Sequence, residues 1–158
     1  MADFQHGVDD EAVTASERLV KTALREMLET PVGPIQLAVD DNGRVVEILL
    51  PNRNPRASSP GASPAAMRTM RTAKRQLGEY FAGERSRFDL PLQLAGSHFE
   101  RLVWARLLDI PYGETTSYGA IATELGLVNG ARAVGRANGA NPIPIVIPCH
   151  RVTARTAG

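Results

Sequence analysis

The stretch "IQLAVDDNGRVVEILLP", residues 35 to 51, constrains the fold more tightly than any other. Two apolar runs flank Asp41-Asn42-Gly43, and an Asn-Gly pair favours a tight reversal, so the segment predicts a β-hairpin. Aromatic residues make up only 5% of the chain, so aliphatic runs like these must supply most of the core. With 158 residues and 43% hydrophobic side chains, the chain can build one or two small domains.

The remaining elements follow from periodicity and punctuation. Residues 1 to 15 read as a flexible tail. Leu19, Val20, Ala23, Leu24, Met27 and Leu28 recur at helical spacing and predict a helix. "NRNPRASSPGAS" is a Pro/Ser-rich loop. Ser63 then Pro64 read as N-cap and first helical residue of a helix running to Ala82, with Met67, Met70, Leu77, Tyr80 and Phe81 near one face. "FDLPLQLAG" is an extended connector that separates residues 16–95 from residues 96–158. Ser97 and Glu100 form a capping box for a helix with Phe99, Val103, Leu107 and Ile110 inside, stopped by Pro111. Short helices are then expected at about Ser117 to Leu125 and over "ARAVGRANGA", with a Gly-containing turn between them. That is the helix-turn-helix outline, although many plain helical corners share it.

Charge distribution adds a direction. Net charge is only +1, yet after Glu124 no carboxylate side chain occurs while Arg132, Arg136, Arg151 and Arg155 do. Such a region suits an anionic partner such as a phosphate backbone, or is an ordinary solvated face. Arg132 and Arg136 project from a helix otherwise made of Ala131, Ala133, Gly135, Ala137 and Gly139. Small residues let a backbone approach a groove, and arginines contact phosphates or bases. One cysteine excludes an intramolecular disulfide or a cysteine-rich zinc site. The acidic, polar start is unlike a signal peptide, and no aliphatic run is long enough to span a bilayer, so the expectation is a soluble cytoplasmic protein.

The single thiol lies in "NPIPIVIPCHRV". "IPIVI" reads as buried, and Pro148 prevents it continuing as a central strand, so Cys149 should sit in a rigid turn at the edge of the core. A lone cysteine is most often a small buried hydrophobe. Here His150 and Arg151 follow directly, and both can favour a thiolate. An imidazole can also take the thiol proton, more easily through a water, because neighbouring side chains in extended backbone point apart.

"FERLVWARLL", "IPYGETTSYGAIA" and "ARAVGRANGANPIPIVIPCHRV" together resemble the 6-O-alkylguanine-DNA alkyltransferases, the methylated-DNA–protein-cysteine methyltransferases. "TPVGPIQLAV" and "LGEYFAGERSRFDLPLQL" extend a looser match into the first half. The resemblance implies an α+β fold: a small N-terminal β-sheet domain with a helix, then a helical domain with a winged-helix-like helix-turn-helix and an active-site cysteine loop. It also implies a strand around Arg25 to Thr30, where periodicity predicts helix. By the same resemblance, Cys149 takes the alkyl group from 6-O-alkylguanine, and in the broader case from 4-O-alkylthymine, in double-stranded DNA, once and irreversibly. His150 would deprotonate Cys149 through a water. Tyr118 would help protonate the departing guanine, or is a locally satisfied tyrosine at a helix start. Arg132 would replace the flipped nucleotide in the duplex, or is a phosphate contact or surface salt bridge. Asn141 would tie the recognition helix to the active-site loop, or simply ends the helix before Pro142. Pro144 would line the base pocket, or shape the loop. No cofactor or metal and a monomer are expected.

After Cys-His-Arg-Val the family usually continues with a Gly-Tyr-Gly-Gly-type segment and a helix whose glutamate orients the histidine; here the sequence reads "VTARTAG". The expectation is therefore a C-terminally shortened transferase of reduced or lost activity and lower stability. The competing readings are a lesion-recognising DNA-binding protein without chemistry and, more remotely, a cysteine hydrolase.

Overall fold

A computed structural model describes residues 23–154. The tail expected over residues 1 to 15 and the first residues of the helix expected from Leu19 lie outside the described residues. Contacts divide the chain into two compact units, with the division between Ala95 and Gly96. Together they make a mixed α+β protein.

The first unit is a three-stranded antiparallel sheet with one long helix. Strands β1 (Leu24–Thr30), β2 (Gly33–Val39) and β3 (Val45–Leu49) follow one another in the order β1-β2-β3. Where helical spacing predicts helix over Leu24 to Leu28, the backbone is strand, as the resemblance implies. The physical reason lies in pairing: Leu24 to Thr30 register against Val39 to Gly33 along their whole length. Long-range strand pairing outweighs local periodicity.

The β2–β3 hairpin is present, with a different turn from the simple Asn-Gly reversal. Gly43 alone takes positive φ (80°), while the Asp40 carboxylate accepts hydrogen bonds from Asn42 N and Arg44 N at 3.0 and 2.9 Å. The side chain of Asp40 thus stands in for a backbone acceptor and lengthens the turn, and the register shifts between Ala38 and Val39. β2 is buried on both faces, which explains its nearly continuous apolar run.

Helix α1 (Pro64–Phe81) begins as expected, with the Ser63 hydroxyl accepting from Ala66 N. Its buried face is Ala66, Met70, Ala73, Gln76 and Leu77. Met67, expected on the same face as Met70 and Leu77, is exposed. The connector is extended and hydrogen-bonds to β3 through Val45 N to Pro91 O and Gln93 N to Val45 O.

The second unit is helical. Helix α2 (His98–Leu108) starts with the expected capping box between Ser97 and Glu100. Val103, Leu107 and Ile110 are buried beside it. Trp104 is the largest buried side chain here, and its Nε1 donates to the Ala137 carbonyl at 2.8 Å. A two-residue strand β4 (Thr116–Ser117) leads into α3 (Tyr118–Glu124), then comes α4 (Ala131–Gly139). A 3₁₀ turn, Cys149–Arg151, precedes β5 (Val152–Thr153), which pairs in parallel with β4. Among the described residues no helix is long and apolar enough to cross a membrane.

Candidate active site

The site is assembled around one turn. Pro148 has φ −78° and ψ 67°, and Cys149 N donates to the Ile147 carbonyl at 2.7 Å, an inverse γ-turn. The apolar run ahead of it is buried at Ile143, Val146 and Ile147. Cys149 then opens the 3₁₀ turn, half-buried. Its neighbour His150 is therefore not across extended backbone. Successive 3₁₀ side chains are about 120° apart, so the two still do not face each other.

Asn138, in the last turn of α4, and Asn141, two residues past its end, grip this turn on either side of Pro148. Asn141 Nδ2 donates to the Ile147 carbonyl at 2.8 Å, and its Oδ1 accepts from Ile143 N at 2.9 Å. Asn138 Nδ2 donates to the Cys149 carbonyl at 3.3 Å. The Asn138 Oδ1 is buried without a protein partner among the described residues. Asn141 is a sequence candidate; Asn138 is not, because within "ARAVGRANGA" it reads as one more helical residue.

Arg151 braces the other side. Its Nη1 donates to the Ile110 carbonyl at 2.7 Å and its guanidinium lies 5.6 Å from the centre of the Tyr112 ring. His150 is exposed at the surface, and partial desolvation against the turn, with the adjacent Arg151 charge second, holds its imidazole below its ordinary pKa. At neutral pH His150 is thus neutral and available as a proton acceptor rather than as a cation. Among the described residues no carboxylate pairs with it.

Tyr118 begins α3 directly after β4, which pairs with β5, the two-residue strand that follows the Cys149–Arg151 turn. Its ring lies against α4 at Gly135, where an added Cβ would meet ring carbons at 3.5 Å. The small residues of α4 therefore serve helix–helix packing here. Arg132 and Arg136 are both exposed, one turn apart, and neither is in an ion pair among the described residues. Pro144 is half-buried in the loop, where it bridges to Ile147, and the next residue, Ile145, has φ 76°. A β-branched residue in the left-handed region is strained by about 1–2 kcal/mol. The sequence carries no sign of it. Among the described residues no three His, Cys, Asp or Glu side chains cluster to hold a metal.

Known proteins match both units. Residues 98–158 fit the family model "6-O-methylguanine DNA methyltransferase, DNA binding domain", and residues 23–94 fit "6-O-methylguanine DNA methyltransferase, ribonuclease-like domain". A methylated-DNA–protein-cysteine methyltransferase of Mycobacterium tuberculosis is 47% identical over 130 residues, which is 79% of this chain and 74% of that protein. The chain belongs to the methylated-DNA–protein-cysteine methyltransferase family. The methyltransferase of Methanosarcina acetivorans is 43% identical over 126 residues, 80% of each chain. The crystal structure of Mycobacterium tuberculosis OGT in complex with DNA superposes with a TM-score of 0.71 at 42% identity, covering 82% of this chain and 77% of that one. The fold and the enzyme class of this methyltransferase are therefore those of its relatives.

Proposed function

We propose that the protein repairs DNA by moving an alkyl group from the 6-O position of guanine, and in the broader case from 4-O-alkylthymine, to Cys149. In this reading the Cys149 thiolate attacks the alkyl carbon, the carbon–oxygen bond breaks, and a thioether forms. The thiol proton passes through a water to His150. The departing guanine gains its proton from the Tyr118 hydroxyl. A thioether does not exchange its alkyl group back, so one molecule performs one transfer. Arg132 takes the place of the extruded nucleotide, because the alkylated oxygen is beyond a side chain's reach in the stack. Arg136 contacts backbone phosphate, Asn141 links α4 to the loop, and Pro144 lines the base pocket.

The observation that carries this reading is the placing of the chain's single thiol. Cys149 sits in a turn whose carbonyls at Cys149 and Ile147 are held by Asn138, in α4, and Asn141, two residues past its end, while α4 exposes Arg132 and Arg136 without ion-pair partners among the described residues. The groups suited to a polyanion and one support of the thiol thus share a helix.

Intact-mass measurement after incubation with a duplex containing 6-O-methylguanine tests it. The expected result is a gain of one methyl, absent in Cys149→Ser. Binding to the lesion duplex without any mass gain would instead support a lesion-recognising protein without chemistry, a reading favoured by the lack of a carboxylate against His150 among the described residues.

A further inference from the structure

The exposed side of α1 carries a charge pattern that the sheet does not use. Arg68, Arg71 and Arg75 are all exposed, and their spacing places them within about 60° of one another around the helix. They span about 10 Å along its axis. From Pro64 to Gly78 the helix contains four cations, with Lys74 the fourth, and no carboxylate. Lys74 is taken up by Glu26 at 2.8 Å, and Arg75 makes a 3.4 Å contact with Glu79. Glu79 is shared with Arg85, which holds it at 2.8 Å. Arg68 and Arg71 have no ion-pair partner among the described residues.

This arrangement works against the helix. Like charges three or four residues apart each cost about 0.2–0.5 kcal/mol, and Arg68–Arg71, Arg71–Lys74 and Arg71–Arg75 are three such pairs. Acidic residues in the first turn, which would favour the helix dipole, are missing as well. The buried face of α1, through Ala66, Met70, Ala73 and Leu77, packs the helix without Arg68 and Arg71, which make no ion pair among the described residues.

We infer that the Arg68–Arg71–Arg75 face of α1 is a docking surface for a nucleic-acid phosphate backbone, separate from the arginines of α4. The complement is one of charge. Duplex DNA carries one negative charge per roughly 1.7 Å of its axis, so a 10 Å row of guanidinium groups meets several phosphates. Arginine, with its fork of donors, suits such contacts to phosphate oxygens. The inference rests on the DNA-acting reading above and adds a sequence-independent contact to it.

The test is the salt dependence of binding of the full chain to an undamaged duplex of about 30 base pairs, followed by fluorescence anisotropy. The double variant Arg68→Gln with Arg71→Gln is compared with a control pair, Arg53→Gln with Arg87→Gln, which removes the same charge from exposed positions off this face. Two lost phosphate contacts should lower the slope of log K against log salt by about 1.8. The control should leave it within a few tenths of the parent. Methyl transfer from the free base 6-O-methylguanine should be equal in all three proteins, since neither pair touches the thiol. An unchanged slope in the first variant, an equal fall in the control, or a parent that does not bind duplex DNA would each overturn the inference. Loss of slope without any methyl transfer in the parent would leave it standing and sink the transferase reading instead.

Discussion

Asn138→Leu separates what stabilises the fold from what positions the nucleophile. Asn138 is buried, with Nδ2 at 3.3 Å from the Cys149 carbonyl and Oδ1 buried without a protein partner. Leucine is nearly isosteric and removes both polar atoms. Relief of a buried unsatisfied acceptor is worth about 1–3 kcal/mol. Against that stands one long neutral hydrogen bond, worth about 0.5–1.5 kcal/mol net. The Cys149 carbonyl also accepts from Val152 N, so removing the amide does not leave it unpaired. The first effect wins. The variant should be as stable as the parent or up to about 2 kcal/mol more so, a rise in Tm of roughly 0–8 °C for a chain of this size.

Activity should move the other way. Without the amide, the Cys149 end of the turn loses one of its two asparagine supports, and misplacement of a reacting atom by 1 Å can cost about a hundredfold. Single-turnover transfer, read by quenched-flow intact mass, should slow by about tenfold to a hundredfold. Thermal unfolding and transfer kinetics on the same preparation decide the matter. A fall in Tm of more than a few degrees, or an unaltered rate, would refute the reasoning. The first outcome would mean that Oδ1 is satisfied in solution; the second, that Asn141 alone holds the turn.

The other predictions concern the core and the proton. In Gly96→Ala the new Cβ would lie 2.5 Å from Trp104 Cη2 and 2.7 Å from Cζ3, and the ring cannot retreat without straining its bond to Ala137. About 2 kcal/mol should be lost, lowering Tm by roughly 4–8 °C in a thermal melt, and an unchanged Tm would contradict the packing. Because partial desolvation first and Arg151 second keep the His150 pKa low, the acid limb of the pH–rate profile should fall below about 6.5, the value of a free histidine. Arg151→Met should move that limb upward. The same sign governs stability: the unfolded chain takes this proton first, so the contribution of His150 is whole above about pH 6.5 and is lost as pH falls through its folded value. A limb at or above pH 6.5 in the parent protein counts against His150 as the base.

Local signals in the sequence were dependable where the physics is local. Ser63 before Pro64 and Ser97 before Glu100 cap their helices because a hydroxyl three residues from an unsatisfied amide needs no tertiary help. Leu24 to Leu28 misled for the opposite reason. Their helical spacing is real, but the strand is dictated by pairing with Gly33 to Val39. Tyr118, Arg132 and Asn141 stand out as candidates only through family resemblance, whereas Cys149 stands out as the one thiol, followed directly by His150 and Arg151. Asn138 and Ile145 were not legible at all, since one acts through a bond eleven residues away and the other through a backbone angle.

That division explains why the proposed nucleophile is easy to pick out and its supports are not. Cys149 is conspicuous by residue type, whereas the groups that hold it are ordinary amides and carbonyls: Asn138, Asn141, and the Ile110 carbonyl under Arg151. Three contacts, from Asn138, Asn141 and the loop after α2, converge on the five residues Ile147 to Arg151. The strain at Ile145 lies in the same loop, between Ile143 and Ile147, whose backbones are joined by a 2.9 Å hydrogen bond. A left-handed isoleucine persists only where its surroundings over-determine it. The buried Ile143 and Ile147 side chains and the Asn141 clamp supply that constraint. The loop is thus held in a conformation that Ile145 itself disfavours, and what holds it is the burial of Ile143 and Ile147 together with the Asn141 side chain, which spans from Ile143 N to the Ile147 carbonyl.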